Sequence, residues 1–435
     1  MKDLIKIALI AVCLSFAWKG MAADPAQFGF DPAAEPATNA VALQRALDAG
    51  GLVRVAKPGT YRLDRTVYIG DDTELVFAKG TVLAKAAEYG RMLCNRDAGT
   101  GRTNVNITVR NLEIADRGIN VRPDPNSTLK GLFGHVSFWH VKNLTLTGFR
   151  CTEFAKGQYC LQVVGFDGFT IEDFVIRGGK DGIHLNAGRN FTIRRGRLRT
   201  LDDGIALNAG EWPYCTPEMG SVTDGLVEDV VDEAGGDCNF VRVITGAWID
   251  WFPGMKLQRA DIFRHDGRLY TVYPAPVSAQ ETASFHPPTH TKGVWKSPDG
   301  LNFLYLQPGD VMCADVTNVV IRNCTLLEPK RKVACLWEIG AWARVLHPKV
   351  PGEEYPKIDL RLENVVKNAT GELVRCAADA NLVFEKCRAA DGQLAVLKRN
   401  AWQRTRCPIR TVSVDDGPVM RYDTDVTSVV RALDQ

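Results

Sequence analysis

Residues 169–210 read FTIEDFVIRGGKDGIHLNAGRNFTIRRGRLRTLDDGIALNAG. Phe169 and Ile171 alternate with polar residues, as on a strand with one buried face. The next apolar residue of the pattern, Phe174, comes three places later, and alternation then resumes with Ile176. A step of three breaks the two-residue period of a strand, so the chain must turn a corner there. Twenty-two residues after Phe169 the pattern starts again with Phe191 and Ile193, meets Gly196 at its third place and continues at Leu198.

This template, apolar residues at offsets 0, 2, 5 and 7, recurs along most of the chain. It is carried by Ile107, Val109, Leu112 and Ile114, then by Leu144, Leu146, Phe149 and Cys151. Later copies are Val319, Ile321, Cys324, Leu326 and Leu382, Phe384, Cys387, Ala389, with Leu360, Leu362 and Val365 filling three places. Leu144 follows Ile107 by 37 residues, Phe169 follows Leu144 by 25, and Leu382 follows Leu360 by 22. A period in the low twenties, lengthened by loops, marks a solenoid whose coils bury their apolar faces only by stacking on one another. The expected fold is all-β, a single-stranded right-handed parallel β-helix. Six Asn-x-Ser/Thr triplets, among them Asn143-Leu-Thr and Asn190-Phe-Thr, fall mostly at the template start, where Asn suits a coil corner.

Two segments depart from the template. Residues Asn39 to Ala49 place apolar residues at helical spacing before a Gly50-Gly51 stop, predicting a short N-terminal helix that caps the first coil. From about Met255 to Pro308 the template vanishes, and aromatics cluster between His-Asp-Gly and Pro-Asp-Gly turns, predicting a small β-hairpin-rich insertion. The boundaries are therefore a signal peptide at 1–23, the first part of the β-helix at 24–254, the insertion at 255–309 and the remaining coils with their cap at 310–435.

The first residues set the compartment. Lys2 and Lys6 precede the apolar run Ile7 to Trp18, and small residues follow at Gly20, Ala22 and Ala23. That order is a secretory signal peptide, which predicts a secreted or periplasmic protein. No stretch reaches the ~20 apolar residues of a spanning helix. Cleavage removes Lys2, Lys6 and Lys19 against Asp3, so the formal charge of +2 falls to about zero. A neutral chain lacks the basic footprint that nucleic acid requires. Of 12 cysteines, 11 survive cleavage, and neither they nor the seven histidines show metal-ligand spacing.

The chemistry concentrates in two nearly identical stretches, DGIHLNAG from Asp181 and DGIALNAG from Asp203, 22 residues apart. One coil of separation puts Asp181 and Asp203 on adjacent rungs, about 4.7–4.9 Å apart, with Asp202 beside Asp203. Three carboxylates packed this closely repel one another and drive their pKa values apart, which separates an acid from a base. Asp-Gly is also ordinary turn chemistry, and a carboxylate cluster can equally hold calcium.

These residues resemble family 28 glycoside hydrolases, the polygalacturonases and rhamnogalacturonases, in the pectate-lyase-like β-helix superfamily. That family's signature is an Asn-Thr-Asp-Gly turn, an Asp-Asp pair one coil later, Gly-His-Gly and Arg-Ile-Lys. The resemblance implies hydrolysis of a polysaccharide or oligosaccharide with inversion and without a cofactor. It makes Asp202 the general acid and gives Asp181 and Asp203 the attacking water. Gly179-Lys180 stand where Asn-Thr would be, Gly236-Asp237-Cys238-Asn239 occupy the place of Gly-His-Gly, and Arg242 is the nearest counterpart of the basic pair. In the family that basic pair binds the substrate carboxylate, so its loss points away from galacturonate.

His184, between the inward-facing Ile183 and Leu185, should point outward beside the acids, toward solvent or substrate. Trp212, Trp248, Trp251, Trp337 and Trp342 sit at loop-like positions where an indole can stack on sugar, with Glu338 between two of them. With Asp237, Asn239 and Arg242 these make up the candidate substrate contacts. Two other readings stay open: a polysaccharide lyase whose Asp cluster holds calcium, and a non-catalytic glycan-binding spike or adhesin, for which the insertion argues.

Overall fold

The computed structural model describes residues 22–210, 214–233, 238–248, 250–259, 261–273, 281–309, 313–327, 340–341, 357–376, 380–390, 395–397, 412–415 and 420–422. Most of the signal segment, Trp212, Asp237, Trp337, Glu338 and Trp342 lie outside them.

The coils stack as the template requires. Ile107 pairs with Leu144, Leu144 with Phe169, Phe169 with Phe191, Phe191 with Gly225, Gly225 with Val319, Val319 with Leu360 and Leu360 with Leu382, all in parallel. The chain is a parallel β-helix. Its corners explain the template's uneven step. The residue before the first template position has positive φ: Asn106, Asn143, Gly168, Asn190, Asp224 and Asn318, between 54° and 84°. So does the residue before the third, including Asn111, Gly148, Asp173, Asp229, Asn323 and Asn364, between 50° and 70°. Asn, Asp and Gly reach this left-handed conformation at lowest cost. Asn143 and Asn190 are therefore corner residues, whatever their triplets suggest.

One coil escaped the pattern. Strand Val222–Asp232 puts Gly225, Val227, Val230 and Asp232 in register with Phe191, Ile193, Gly196 and Leu198. A Cβ on Gly225 would lie 2.0 Å from the Phe191 ring, so the large residue of one rung fills the gap of the next. Gly196 stands in the same relation to Phe174. Rung volumes are conserved in pairs, as close packing demands.

The capping helix runs from Pro36 to Ala49, three residues earlier than the apolar spacing predicted, because Pro is well placed in the first helical turn. It buries Ala40, Leu43, Ala46 and Leu47. The Gln44 side chain accepts from the Tyr68 backbone N–H (2.7 Å) and donates to the Tyr68 carbonyl (3.0 Å). That satisfies the open side of strand Val67–Ile69, which pairs only with Leu93–Asn95.

Between Met255 and Pro308 the pairing turns antiparallel. Met255–Leu257 pairs with Thr282–Ser284, and Ile262–His265, Arg268–Val272, Asn302–Pro308 and Val294–Lys296 form a four-stranded sheet. Asp266 and Gly267, both at positive φ, make its tight hairpin turn. Phe263, Tyr270, Val272 and Phe303 pack in a core of their own, whereas Ile262, Leu269, Leu304 and Leu306 join the core of the coils.

Candidate active site

The site grows from one position of the coil, two residues before the strands Ile183–Thr200 and Ile205–Asn208 begin. Tyr159, Asp181, Asp203 and Asn239 occupy it on four successive rungs. Their backbones are linked by Cys160 N–H to Asp181 O (2.9 Å), Gly182 N–H to Asp203 O (3.0 Å) and Gly204 N–H to Asn239 O (2.8 Å). Asp181 and Asp203 thus sit one above the other, as the repeat predicted. Glycine follows Asp181 because a Cβ at 182 would meet the Gly204 carbonyl at 2.7 Å.

Three residues further along, the side chains that leave the coil core are Gln162, His184, Ala206 and Arg242, in register. His184 is oriented beside the acids as expected but is not solvated; it is 1% exposed. Its Nδ1 lies 2.7 Å from Asp181 Oδ2, and the Asn186 and Asn208 amides each lie 3.3 Å from Nε2. With both amides donating, the ring proton is on Nδ1 and is donated to Asp181. Tyr159 stacks on the imidazole at 3.9 Å between centroids. Burial pushes the His184 pKa down, so it acts as a neutral donor.

Asp203 is bonded differently. Its Oδ1 accepts from the Asn239 backbone (3.1 Å) and amide (2.9 Å), and Oδ2 from Arg242 (3.2 Å). The small Ala206, on the Asp203 rung and in register with Arg242, leaves room for that guanidinium. Burial pushes the Asp203 carboxyl above its usual range, and nearby Asp181 adds to this, against Arg242 and Asn239. For Asp181, burial also works upward. Lys180, the bond from His184 and the more distant Arg242 outweigh it and leave the carboxyl lowered.

Asp202 sits in a bend, not on an extended strand. One of its oxygens, one of Asp203's and the Cys238 sulfur all lie within 4.8 Å of one another. The Lys180 ammonium contacts Asp202 and stands 3.7 Å from Asp181 Oδ1. Asp202 is the most open of the three carboxyls, its side chain 20% exposed. The donor set does not suit calcium, which takes about six to eight oxygen ligands. Here one donor is a thiol, both Asp203 oxygens face protein donors, and Asp202 already holds an ammonium.

The other candidates separate. Asn239 and Arg242 belong to the cluster but bond Asp203. Trp248 is buried in the coil core, and Trp251 packs on the insertion with its Nε1 donating to Ser284 Oγ (2.9 Å). Lys180, Tyr159, Asn186 and Asn208 went unread in the sequence, although Asn186 and Asn208 recur at the same place in both Asp-Gly repeats. A segment from Tyr214 to Met219 roofs this face. Gln162 Nε2 donates to the Cys215 carbonyl (2.8 Å), and Gln307 of the insertion clamps the Met219 backbone.

The sequence matches no family model and no curated protein. Among solved structures, the surface adhesin PfbA of Streptococcus pneumoniae is 12% identical over 92% of this chain and 89% of its own, with a TM-score of 0.49. The polygalacturonase of Erwinia carotovora is also 12% identical, over 92% of this chain and 95% of its own, at 0.47. The A-module of the Azotobacter vinelandii mannuronan C-5 epimerase AlgE6 shares 12% identity over 92% of this chain and 99% of its own, at 0.43. At these identities the likeness concerns the fold alone.

Proposed function

We propose that the protein is an exported glycoside hydrolase that cleaves a polysaccharide or oligosaccharide by acid/base catalysis at Asp181, Asp202 and Asp203. One observation carries this reading: two stacked, buried carboxyls of one repeat have different partners, Asp181 the neutral His184 and Asp203 the Asn239 amide and Arg242, and their surroundings push Asp181 down and Asp203 up. Groups split in this way supply a base and an acid at the same pH. Asp181, ionised and aimed by His184, holds the attacking water. Asp202 and Asp203 act as one acid, since their oxygens approach within 4.8 Å. Burial favours the proton on Asp203, and one bridging water relays it to the more open Asp202, which gives its own proton to the leaving oxygen.

Inversion needs an acid and a base on opposite faces of the sugar, with Asp181 as the base and the Asp202–Asp203 unit as the acid. Arg242 is engaged by Asp203 and does not replace the missing basic pair, which favours neutral sugars over galacturonate. A second reading, glycan binding without cleavage, draws on the low exposure of Asp181 (3%) and Asp203 (1%).

The deciding experiment measures reducing-sugar release across neutral and uronic polysaccharides, with the first-formed anomer followed by NMR. Release with inversion, abolished in Asp181→Asn, is the expected result. Retention overturns the mechanism, and binding with no product from any substrate establishes the second reading.

A further inference from the structure

A different feature lies at Ala187, further along the strand that follows Asp181. A cavity of about 730 Å³ opens there between the coils, the 214–220 segment and the insertion. Its volume lies within the usual range for small-ligand pockets. Trp139 and Tyr305 contribute to its walls, and Glu218 stands between the coil face and the insertion. Glu218 Oε2 accepts from Trp139 Nε1 (2.9 Å) and lies 2.6 Å from His140 Nε2. Its other oxygen makes no hydrogen bond among the described residues. Burial would raise this carboxyl, but the bonds from His140 and Trp139 hold it ionised; the same bond to Glu218 pushes His140 up.

The backbone beneath is strained to allow this. His140 and Ala187, two rungs apart, have φ of 54° and 41° without the short polar side chain that makes the left-handed region cheap for Asn. Between them Gly165 also has positive φ, and a Cβ there would lie 2.3 Å from the His140 ring and 3.3 Å from Glu218 Oε2.

We propose that this cavity is a second glycan site that binds one neutral sugar ring, its hydroxyls on the unengaged oxygen of Glu218 and its C–H side against the wall that Trp139 and Tyr305 line. A fixed carboxylate accepts hydroxyl protons strongly, and aromatic faces suit the C–H face of a pyranose. Of the three cations that line it, two are occupied and the third, Lys292, is exposed. Lys130 donates to the Tyr305 and Leu306 carbonyls and lies 4.7 Å over the Tyr305 ring, and His140 is paired with Glu218. Glu218 would repel a uronate carboxylate. The inference rests on the glycan part of the proposed function and does not require the Asp cluster to be catalytic.

The test titrates the full chain carrying Asp202→Asn, to stop turnover, with galactohexaose and hexagalacturonic acid by calorimetry. Glu218→Gln keeps the side-chain shape, and Thr291→Trp fills the cavity from an exposed lining position. Each should weaken galactohexaose binding about tenfold or more, the loss of one charge-assisted hydrogen bond or of the space itself. Thr291→Trp should leave cleavage of a short substrate unchanged in the chain with Asp202 intact. Unaltered galactohexaose affinity in both variants, no binding of it at all, or tighter binding of the uronic hexamer through Glu218 overturns the proposal. Absence of cleavage with this binding intact removes only the hydrolase reading.

Discussion

Residues 181–188 and 203–210 differ at one position, His184 against Ala206, yet their leading carboxyls are driven in opposite directions. His184 fills the space beside Asp181 and donates a proton to it. Ala206 fills little, so Arg242 from the next rung reaches across to Asp203. Lys180 adds a cation on the Asp181 side, while Asp203 feels the charge of Asp181 itself. A tandem repeat thus becomes an acid and a base through what packs beside each copy.

The largest expected effect tests that division directly. Asp181→Asn should lower turnover about 10²–10⁴-fold, the usual range for a lost general base. The wild-type profile of kcat/KM against pH should be a bell, and the sign of each limb follows from the shifts. Activity is lost on the acid side as Asp181 gains its proton, below the usual carboxylate range. It is lost on the alkaline side as Asp203 gives up its own, above that range. In Asp203→Asn the residual activity should lack the alkaline limb; an unmoved limb would assign it to another group.

A smaller change should move one limb alone. His184→Ala removes the hydrogen bond that helps hold Asp181 ionised, so the acid limb should shift upward while the alkaline limb stays. Losses for groups that orient a reacting residue run to about 10–100-fold. A uniform drop with both limbs in place would make His184 merely structural.

Arg242→Ala addresses the other copy through stability. Asp203 keeps its Asn239 bonds but loses the opposite charge of Arg242, so its folded pKa should rise further. A group raised on folding contributes stability fully below its unfolded pKa of about 3.9 and loses it as pH rises through the folded value. The variant should therefore match wild type near pH 3 and be weaker by roughly 2 kcal/mol near pH 7. Urea unfolding at the two pH values checks this, and an equal loss at both would contradict it.

The fold was legible because each coil corner costs a left-handed residue and each strand alternates. Both leave marks at fixed offsets, as at Asn143 with Leu144 and Leu146. The coil at 222–232 was hidden because Gly225 and Asp232 occupy apolar places, and only the stacked Phe191 explains the glycine. The stacking of Asp181 on Asp203 was legible for the same reason. The burial of His184 was not, since its roof comes from Cys215 and Thr216, outside the repeat. The placement of Asp202 depended on a bend that local alternation does not reveal.

The finest comparison lies at the Asn of each repeat. Asn186 Nδ2 donates to the Asn208 carbonyl at 2.8 Å and approaches His184 Nε2 at 3.3 Å, while its Oδ1 accepts from Gln162 at 3.3 Å. Asn208 Nδ2 approaches the same nitrogen at 3.3 Å, but its Oδ1 is buried without a partner among the described residues. Removing a buried amide that is fully bonded strands its partners, which costs about 1–3 kcal/mol. Removing one that already carries an orphaned oxygen relieves a desolvation penalty while losing one long bond. Asn186→Ala should therefore lower stability by about 2 kcal/mol, and Asn208→Ala by less than about 0.5 kcal/mol. Denaturant midpoints at constant slope read the difference. Equal losses would mean that both amides act through the shared His184 nitrogen, making that imidazole the common support of the two copies.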